Sequence, residues 1–173
     1  VCMDMSAAYA KGATLALPEP KRFDPLVSSR KPFGLATTFK GKATKGTDDI
    51  RVYQNGGTGY IARDSISTGI YLIDKWKLFA SYAAPGTGNK DTYPHRIIST
   101  PFIGEPGSIS SETYLCIGPF DSKSEAESAL SYLSCRLTRL LILLHKPSQH
   151  VTRKVYTFVP MQAWNRKWTD EDL

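Results

Sequence analysis

One stretch constrains the fold more than any other: DSKSEAESALSYLSCRLTRLLILLHK, from Asp121 to Lys146. Ser122 followed by Glu125 is a capping box, in which each side chain satisfies an otherwise orphaned N–H at a helix start. Apolar residues then recur at Ala126, Leu130, Leu133, Leu137, Leu140, Leu141 and Leu144, a spacing of four and three that marks one face of a helix. Unbroken, the stretch spans roughly 35–40 Å at 1.5 Å per residue, with Ser134-Cys135 the point where a break is expected and Pro147 the stop. Acids at its start (Asp121, Glu125, Glu127) and bases toward its end (Arg136, Arg139, Lys146) match the helix dipole. A sheet is expected to pack on it.

The 173 residues suffice for one sizeable core. The longest aliphatic run, LLILL at 140–144, falls far short of the ~20 residues a membrane span needs, so it reads as a helix buried on more than one side, and no membrane partner is expected. Three cysteines (Cys2, Cys116, Cys135) lack metal-ligand spacing, and an odd number argues against a disulfide framework. With no secretory signal in view, the expectation is a cytoplasmic protein.

The net charge of +6 is unevenly distributed. No Asp or Glu occurs between Ser128 and Thr169, a stretch holding Arg136, Arg139, Lys146, Arg153, Lys154, Arg166 and Lys167. A second acid-free stretch, Pro25 to Thr47, carries Arg30, Lys31, Lys40, Lys42 and Lys45. Such segregation suggests an anionic partner, most simply nucleic-acid phosphates; the alternative is a solvated basic surface neutralised by acids near in space.

Along the chain, residues 1–22 read as an N-terminal extension or linker. Val1 is not a natural start, so an excised or tagged chain is expected. Asp24-Pro25 can begin a short helix with Asp24 as its cap. SSRKPFGL at 28–35 is a turn in which Pro32 should hold Lys31 extended. Its Ser29, Arg30 and Lys31 could grip phosphate, or the turn could simply close over the core with Phe33 tucked in. KGKATKGTDD is a polar loop, IRVYQ at 50–54 a strand, NGGTG a hairpin turn, and GYIARDSI the return strand. A helix or turn near 70–75 leads to a strand at 77–82. Further strands are expected at 95–100, 112–120 and 152–161, and a helix begins at WTDEDL. The whole is α+β, a mixed or antiparallel sheet against the long helix.

Catalytic chemistry is not legible. PGTGNK at 85–90 lacks the first glycine and the Lys-Ser/Thr ending of a phosphate loop. The acids show no nuclease-like clustering, Cys135 reads as core, and His95, His145 and His150 share no ligand spacing. The segment leaving the long helix differs: Lys146, Ser148, Gln149, His150, Arg153 and Lys154 are the groups that read nucleic acid, Gln toward adenine, Arg or Lys toward guanine, Ser toward phosphate. The competing reading is a polar loop whose cations neutralise the helix C-terminus.

SSRKPFGL, KWKLFASYA, ISTPF with SSETYLCIGPF, and SALSYLSCRLTRLLILLHKPSQHVTRKVYTFVPMQ with WTDEDL follow one another in an order that resembles the C-terminal region of adenine-specific DNA methyltransferases of bacterial restriction–modification systems. The resemblance covers roughly Phe23 to Leu173, and its late block is the most specific. It implies a target-recognition domain at 23–173, with double-stranded DNA and the methyltransferase domain of a parent chain as partners. In the family, a separate N-terminal domain binds S-adenosylmethionine and carries Asn/Asp-Pro-Pro-Tyr/Phe. That motif is not in this sequence, so the resemblance implies a non-catalytic recognition fragment that holds no cofactor itself. DNA contact is carried to Ser29–Lys31 and Lys146–Lys154. A restriction-nuclease fragment, or a subunit-docking module using Trp76, Trp164 and Trp168, are the alternatives.

Overall fold

The structure is a computed structural model and describes residues 21–83 and 97–173. Among these described residues, two three-stranded sheets and a helical layer are built from nine strands and helices, with short 3-10 turns besides. Strand β1 (Asp49–Gln54) turns through Asn55-Gly56 into β2 (Gly57–Ala62), with Tyr53 opposite Thr58. A one-turn helix α1 (Ile70–Ile73) leads into β3 (Trp76–Ser81). After it come β4 (Phe102–Gly104), β5 (Ser108–Ser110) and β6 (Tyr114–Phe120). The helices α2 (Lys123–Ser134) and α3 (Arg136–Leu144) follow. One sheet has the order β2-β1-β5, with β5 parallel to β1; the other, β4-β3-β6, is antiparallel throughout.

The alternation of side chains along β3 and β6 makes this second sheet the middle layer. Leu78, Ala80, Leu115 and Ile117 face the helices, where they join Phe23, Ala126, Ala129, Tyr132 and Leu133. Phe79 and Cys116 point the other way, onto Val52 and Ile109 of the first sheet. The expected α+β class therefore stands, with two small sheets in place of one.

The long rod from 121 to 146 is two helices. Cys135 has ψ 147°, an extended conformation that ends α2 and begins α3. Just before it, Ser131 Oγ donates to Ser128 O, Ser134 Oγ to Leu130 O, and Cys135 Sγ to Ser131 O. Such back-bonding competes with the helical ladder. The new helix start has no side-chain cap of its own; Asp170 Oδ1 accepts from Arg136 N instead, at 2.6 Å. The capping box at the other end holds as expected: Ser122 Oγ accepts from Glu125 N (3.2 Å), while Glu125 Oε2 accepts from Asp121 N (2.9 Å). Ser122→Ala should lower stability by about 1 kcal/mol, read as a lower urea midpoint at unchanged slope.

Other expectations need correction. LLILL is buried on one side only: Ile142 is enclosed, whereas Leu140 and Leu143 are exposed. Residues 152–161 form no strand. Val151, Val155, Phe158 and Val159 are buried at helical spacing, and Arg153–Tyr156 is a 3-10 turn. Only Pro160 makes a β-bridge, to Arg22. Of the strand expected at 95–100, residues 97–100 lie outside any strand, and 95–96 lie outside the described residues, as does PGTGNK. The strand falls at Phe102–Gly104. WTDEDL is a turn, closed by Thr169 N and Oγ1 donating to Asp172 Oδ2. Trp164 and Trp168 are not surface anchors but pack against Tyr132, with Trp164 also against Phe23 and Phe120; Trp76 packs on the same core. Most of the expected extension, residues 1–20, lies outside the described residues; Lys21 and Arg22 run beside Pro160 and Met161.

Candidate nucleic-acid interface

The two segments singled out for DNA contact lie far apart in sequence, and the middle sheet brings them together. Residues 27–28 run along β6: Val27 bridges Ile117, Ser28 N donates to Cys116 O (2.8 Å), and Ser28 Oγ accepts from Cys116 N (2.9 Å). Residues 150–151 run along the end of β3: His150 bridges Ala83, and Val151 N donates to Tyr82 O (2.7 Å). Because β3 and β6 are neighbours, with Ser81 opposite Tyr114, both segments converge on one end of this sheet. Tyr82 is the meeting point. The Arg30 guanidinium lies 4.8 Å from its ring centroid, a cation–π contact, and the His150 ring lies 5.0 Å away.

The cations here are held by carboxylates. Glu112, almost enclosed, accepts from the Arg30 Nε, sits 3.7 Å from Lys31 Nζ, and also takes the N–H and hydroxyl of Thr37. Asp24, likewise nearly buried, pairs with Arg22 Nε at 3.2 Å and Arg153 Nε at 3.6 Å. Asp24 was expected to cap its turn; it does not, and Phe23 stands at the cap position without a side-chain bond. The arrangement departs from the bare cationic face that segregation of charge suggested. Glu112 is nevertheless shared by two cations, so that trio keeps one positive charge, and Arg30, Lys31 and Arg153 remain about half exposed.

Between the two segments lies a cavity of about 290 Å³, walled by Ser28 and Ser29 on one side, Thr68, Gly69 and Tyr71 on another, and Arg153. Gly69 makes this close approach possible. Its φ is +68°, and a Cβ there would collide with the Pro32 carbonyl oxygen. Lys31 was expected to be extended before Pro32 but has φ +58°, and Phe33 is tucked into the core beneath the turn.

The remaining predicted residues are placed less uniformly. Lys154 and Gln149 are exposed. Ser148 Oγ accepts from His150 N at 3.2 Å and so shapes the backbone. Lys146 is drawn inward: its Nζ donates to Ile97 O at 2.6 Å, and burial lowers its pKa. It therefore ties the end of α3 to the residues before β4 and is not presented on the Arg30–Arg153 face. Sequence reasoning missed Tyr82, Glu112 and Asp24 as parts of this site. Tyr82 and Glu112 carry no local signal, since they act through partners dozens of residues away, and Asp24 reaches Arg153 from the other end of the sequence.

Among the described residues no group of His, Cys, Asp or Glu could hold a metal ion, and no helix is long and apolar enough to cross a membrane. A larger, open recess lies between the hairpin and α1, beside Lys42, Asp49 and Arg63, away from every predicted contact residue. No family model, no curated protein and no solved structure matches the chain.

Proposed function

We propose that this chain is a module that recognises double-stranded DNA, of the kind used for target recognition by adenine-specific DNA methyltransferases. The observation that carries the reading is the convergence of Ser29–Lys31 and His150–Lys154 on Tyr82, with Arg30 and Lys31 sharing the one carboxylate of Glu112. Paired in this way, Arg30 and Arg153 are held in place before DNA arrives, which lowers the ordering cost of binding. A phosphate can then add to guanidinium donors that the carboxylate leaves unused. Gln149 and Lys154, exposed and next in sequence to His150 and Arg153, supply groups able to read base edges in a groove. The order of sequence blocks supports the same reading. Cofactor binding and methyl transfer belong, in this proposal, to a partner domain.

Binding to a duplex containing all short sequence contexts, followed by anisotropy across salt concentrations, tests it. The log of the affinity should fall linearly with the log of salt, with a slope of about −0.9 for each phosphate contacted. Arg153→Gln combined with Lys154→Glu should weaken binding roughly tenfold or more and reduce the slope by about 2, with an unchanged circular dichroism spectrum. Binding that those substitutions leave untouched would remove the site. Nicking of supercoiled plasmid in Mg²⁺ would replace the recognition reading with the nuclease one.

A further inference from the structure

The cavity between Ser28–Ser29 and Thr68–Tyr71 has two kinds of wall. Its apolar side includes Pro32 and Tyr71. Tyr71 is 71 % exposed, the highest value among the exposed large apolar side chains of the described residues. Its polar side holds three hydroxyls and one guanidinium, and no carboxylate lines it. Ser28 Oγ accepts from Cys116 N at 2.9 Å, which leaves its own proton to give. The hydroxyls of Ser29 and Thr68 have no hydrogen-bond partner among the described residues. Arg153 turns its Nε to Asp24 at 3.6 Å, so its terminal N–H groups stay open. The two walls are fixed against each other where Gly69 meets the Pro32 carbonyl oxygen.

Size and lining together narrow the ligand. At about 290 Å³ the space equals roughly ten waters of ~30 Å³ each, more than an inorganic anion fills. It lies at the lower edge of the ~300–1,000 Å³ of small-molecule sites, so it takes one small unit. A ligand that matches has a flat apolar part for Tyr71, an anionic part for Arg153, and a polar edge for the hydroxyls. A single nucleotide has all three: every base has a π-face that stacks on an aromatic ring, and a phosphate pairs with a guanidinium. A base inside a duplex cannot enter, because its faces are stacked and its edge is paired. We propose that this cavity binds one unpaired nucleotide. The base stacks on Tyr71, its edge takes hydrogen bonds from Ser29 and Thr68, and its phosphate meets the terminal N–H groups of Arg153. This site rests on the DNA-binding reading for its supply, since Arg153 belongs to both and a strand held beside Arg30 and Arg153 lies at the mouth of the cavity.

Three fluorescein-labelled duplexes, alike except in one strand, test it on the intact chain. One is fully paired, one carries an extra adenosine, and one carries an extra abasic nucleotide. Anisotropy should show the adenosine duplex binding at least about fivefold tighter than the abasic one, the low end of what stacking a base on an aromatic ring supplies. The abasic strand has the same phosphates and the same freedom to bend, so the difference reports the base. Tyr71→Ala should erase that preference and leave the affinity for the paired duplex unchanged, whereas Tyr71→Phe should keep it. Thr68→Val should reduce it. Titration with deoxyadenosine 5′-monophosphate alone then identifies the source. Binding that Tyr71→Ala abolishes assigns the cavity to a free nucleotide, and supports it even where no duplex binds and the DNA-binding reading falls. No such binding, with the adenosine preference intact, assigns it to a strand. Duplex binding with no preference between adenosine and abasic strands, and no binding of the mononucleotide, overturns the nucleotide site while leaving the duplex face in place. A preference that survives in Tyr71→Ala overturns it as well.

Discussion

Lys77→Glu is expected to leave the chain without a cooperative unfolding transition. Lys77 is wholly buried in β3, and its Nζ donates to three backbone carbonyls: Ile73 O at 3.0 Å, Lys75 O at 2.8 Å and Glu105 O at 3.1 Å. Its three protons thereby tie α1, the start of β3 and the β4–β5 turn to one point. Its stem fills the space left by two glycines, for a Cβ at Gly104 would lie 3.1 Å from Lys77 Cγ and one at Gly118 3.4 Å from Lys77 Cβ. Burial lowers its pKa to about 8, so at neutral pH the group is still an ammonium. A carboxylate in its place would face three carbonyl oxygens with no donor. An uncompensated buried charge costs about 3–5 kcal/mol or more, against a total stability of about 5–15 kcal/mol for a domain. Lys77→Met keeps the stem, and two of the three carbonyls keep another donor, Gly107 N for Ile73 and Ser108 Oγ for Glu105. That variant should still unfold cooperatively in urea.

The two forms also differ in their pH dependence. Between pH 8 and the ordinary lysine value of 10.5, the unfolded chain holds a proton that the native chain has released. Stability from this group therefore rises with pH across that window. Lys77→Met should lack this rise, seen as a smaller difference between its stability at pH 7.5 and at pH 10 relative to the parent chain's own change. A Lys77→Glu chain with a normal urea midpoint would show that the three-carbonyl cage does not form.

Phe23→Ala is expected to cost about 4 kcal/mol, the middle of the range for deleting a buried aromatic ring. Phe23 is fully buried, with its ring 6.3 Å from Tyr132, 5.9 Å from Tyr156 and 5.9 Å from Trp164. It joins the segment before β1 to α2, to the 3-10 turn at 153–156 and to the late tryptophan loop. Its N–H donates to Val159 O at 2.8 Å, which the substitution leaves in place. The loss should appear as a lower urea midpoint with an unchanged slope. A second effect should follow at the proposed DNA-binding face. Asp24 is the next residue and holds Arg153, so loosening Phe23 frees Arg153 and weakens duplex binding further than the lost stability alone explains. A loss below about 1 kcal/mol would place Phe23 outside the core.

Much of the local structure was legible because its causes are local. The hairpin at 55–57, the capping box at Ser122, the break at Cys135, and the strands at β1, β3 and β6 each follow from residues within a few positions of one another. The segment 152–161 was misread because Val151, Val155, Tyr156, Phe158 and Val159 suit a strand by composition and a helical turn by spacing. The turn is the form that places Val151, Val155, Tyr156 and Val159 together in the core with Phe23, a residue from the other end of the described chain. The short strands β4 and β5 were displaced or missed because three residues carry too little periodicity to be seen. The candidate site divides in the same way. Its cations were visible as an acid-free stretch, but their partners were not.

The sequence by itself determined which side chains could meet an anion and where the chain would turn, cap and break, because these depend on chemistry and backbone preference over a single turn. Only the tertiary structure decided that Arg30 and His150 share Tyr82, that Glu112 and Asp24 each hold two cations, that Lys146 turns inward, and that Leu137, Leu140 and Leu143 of α3 are exposed. Those outcomes depend on which elements the middle sheet brings side by side, and a contact between residues eighty positions apart has no signature in either neighbourhood.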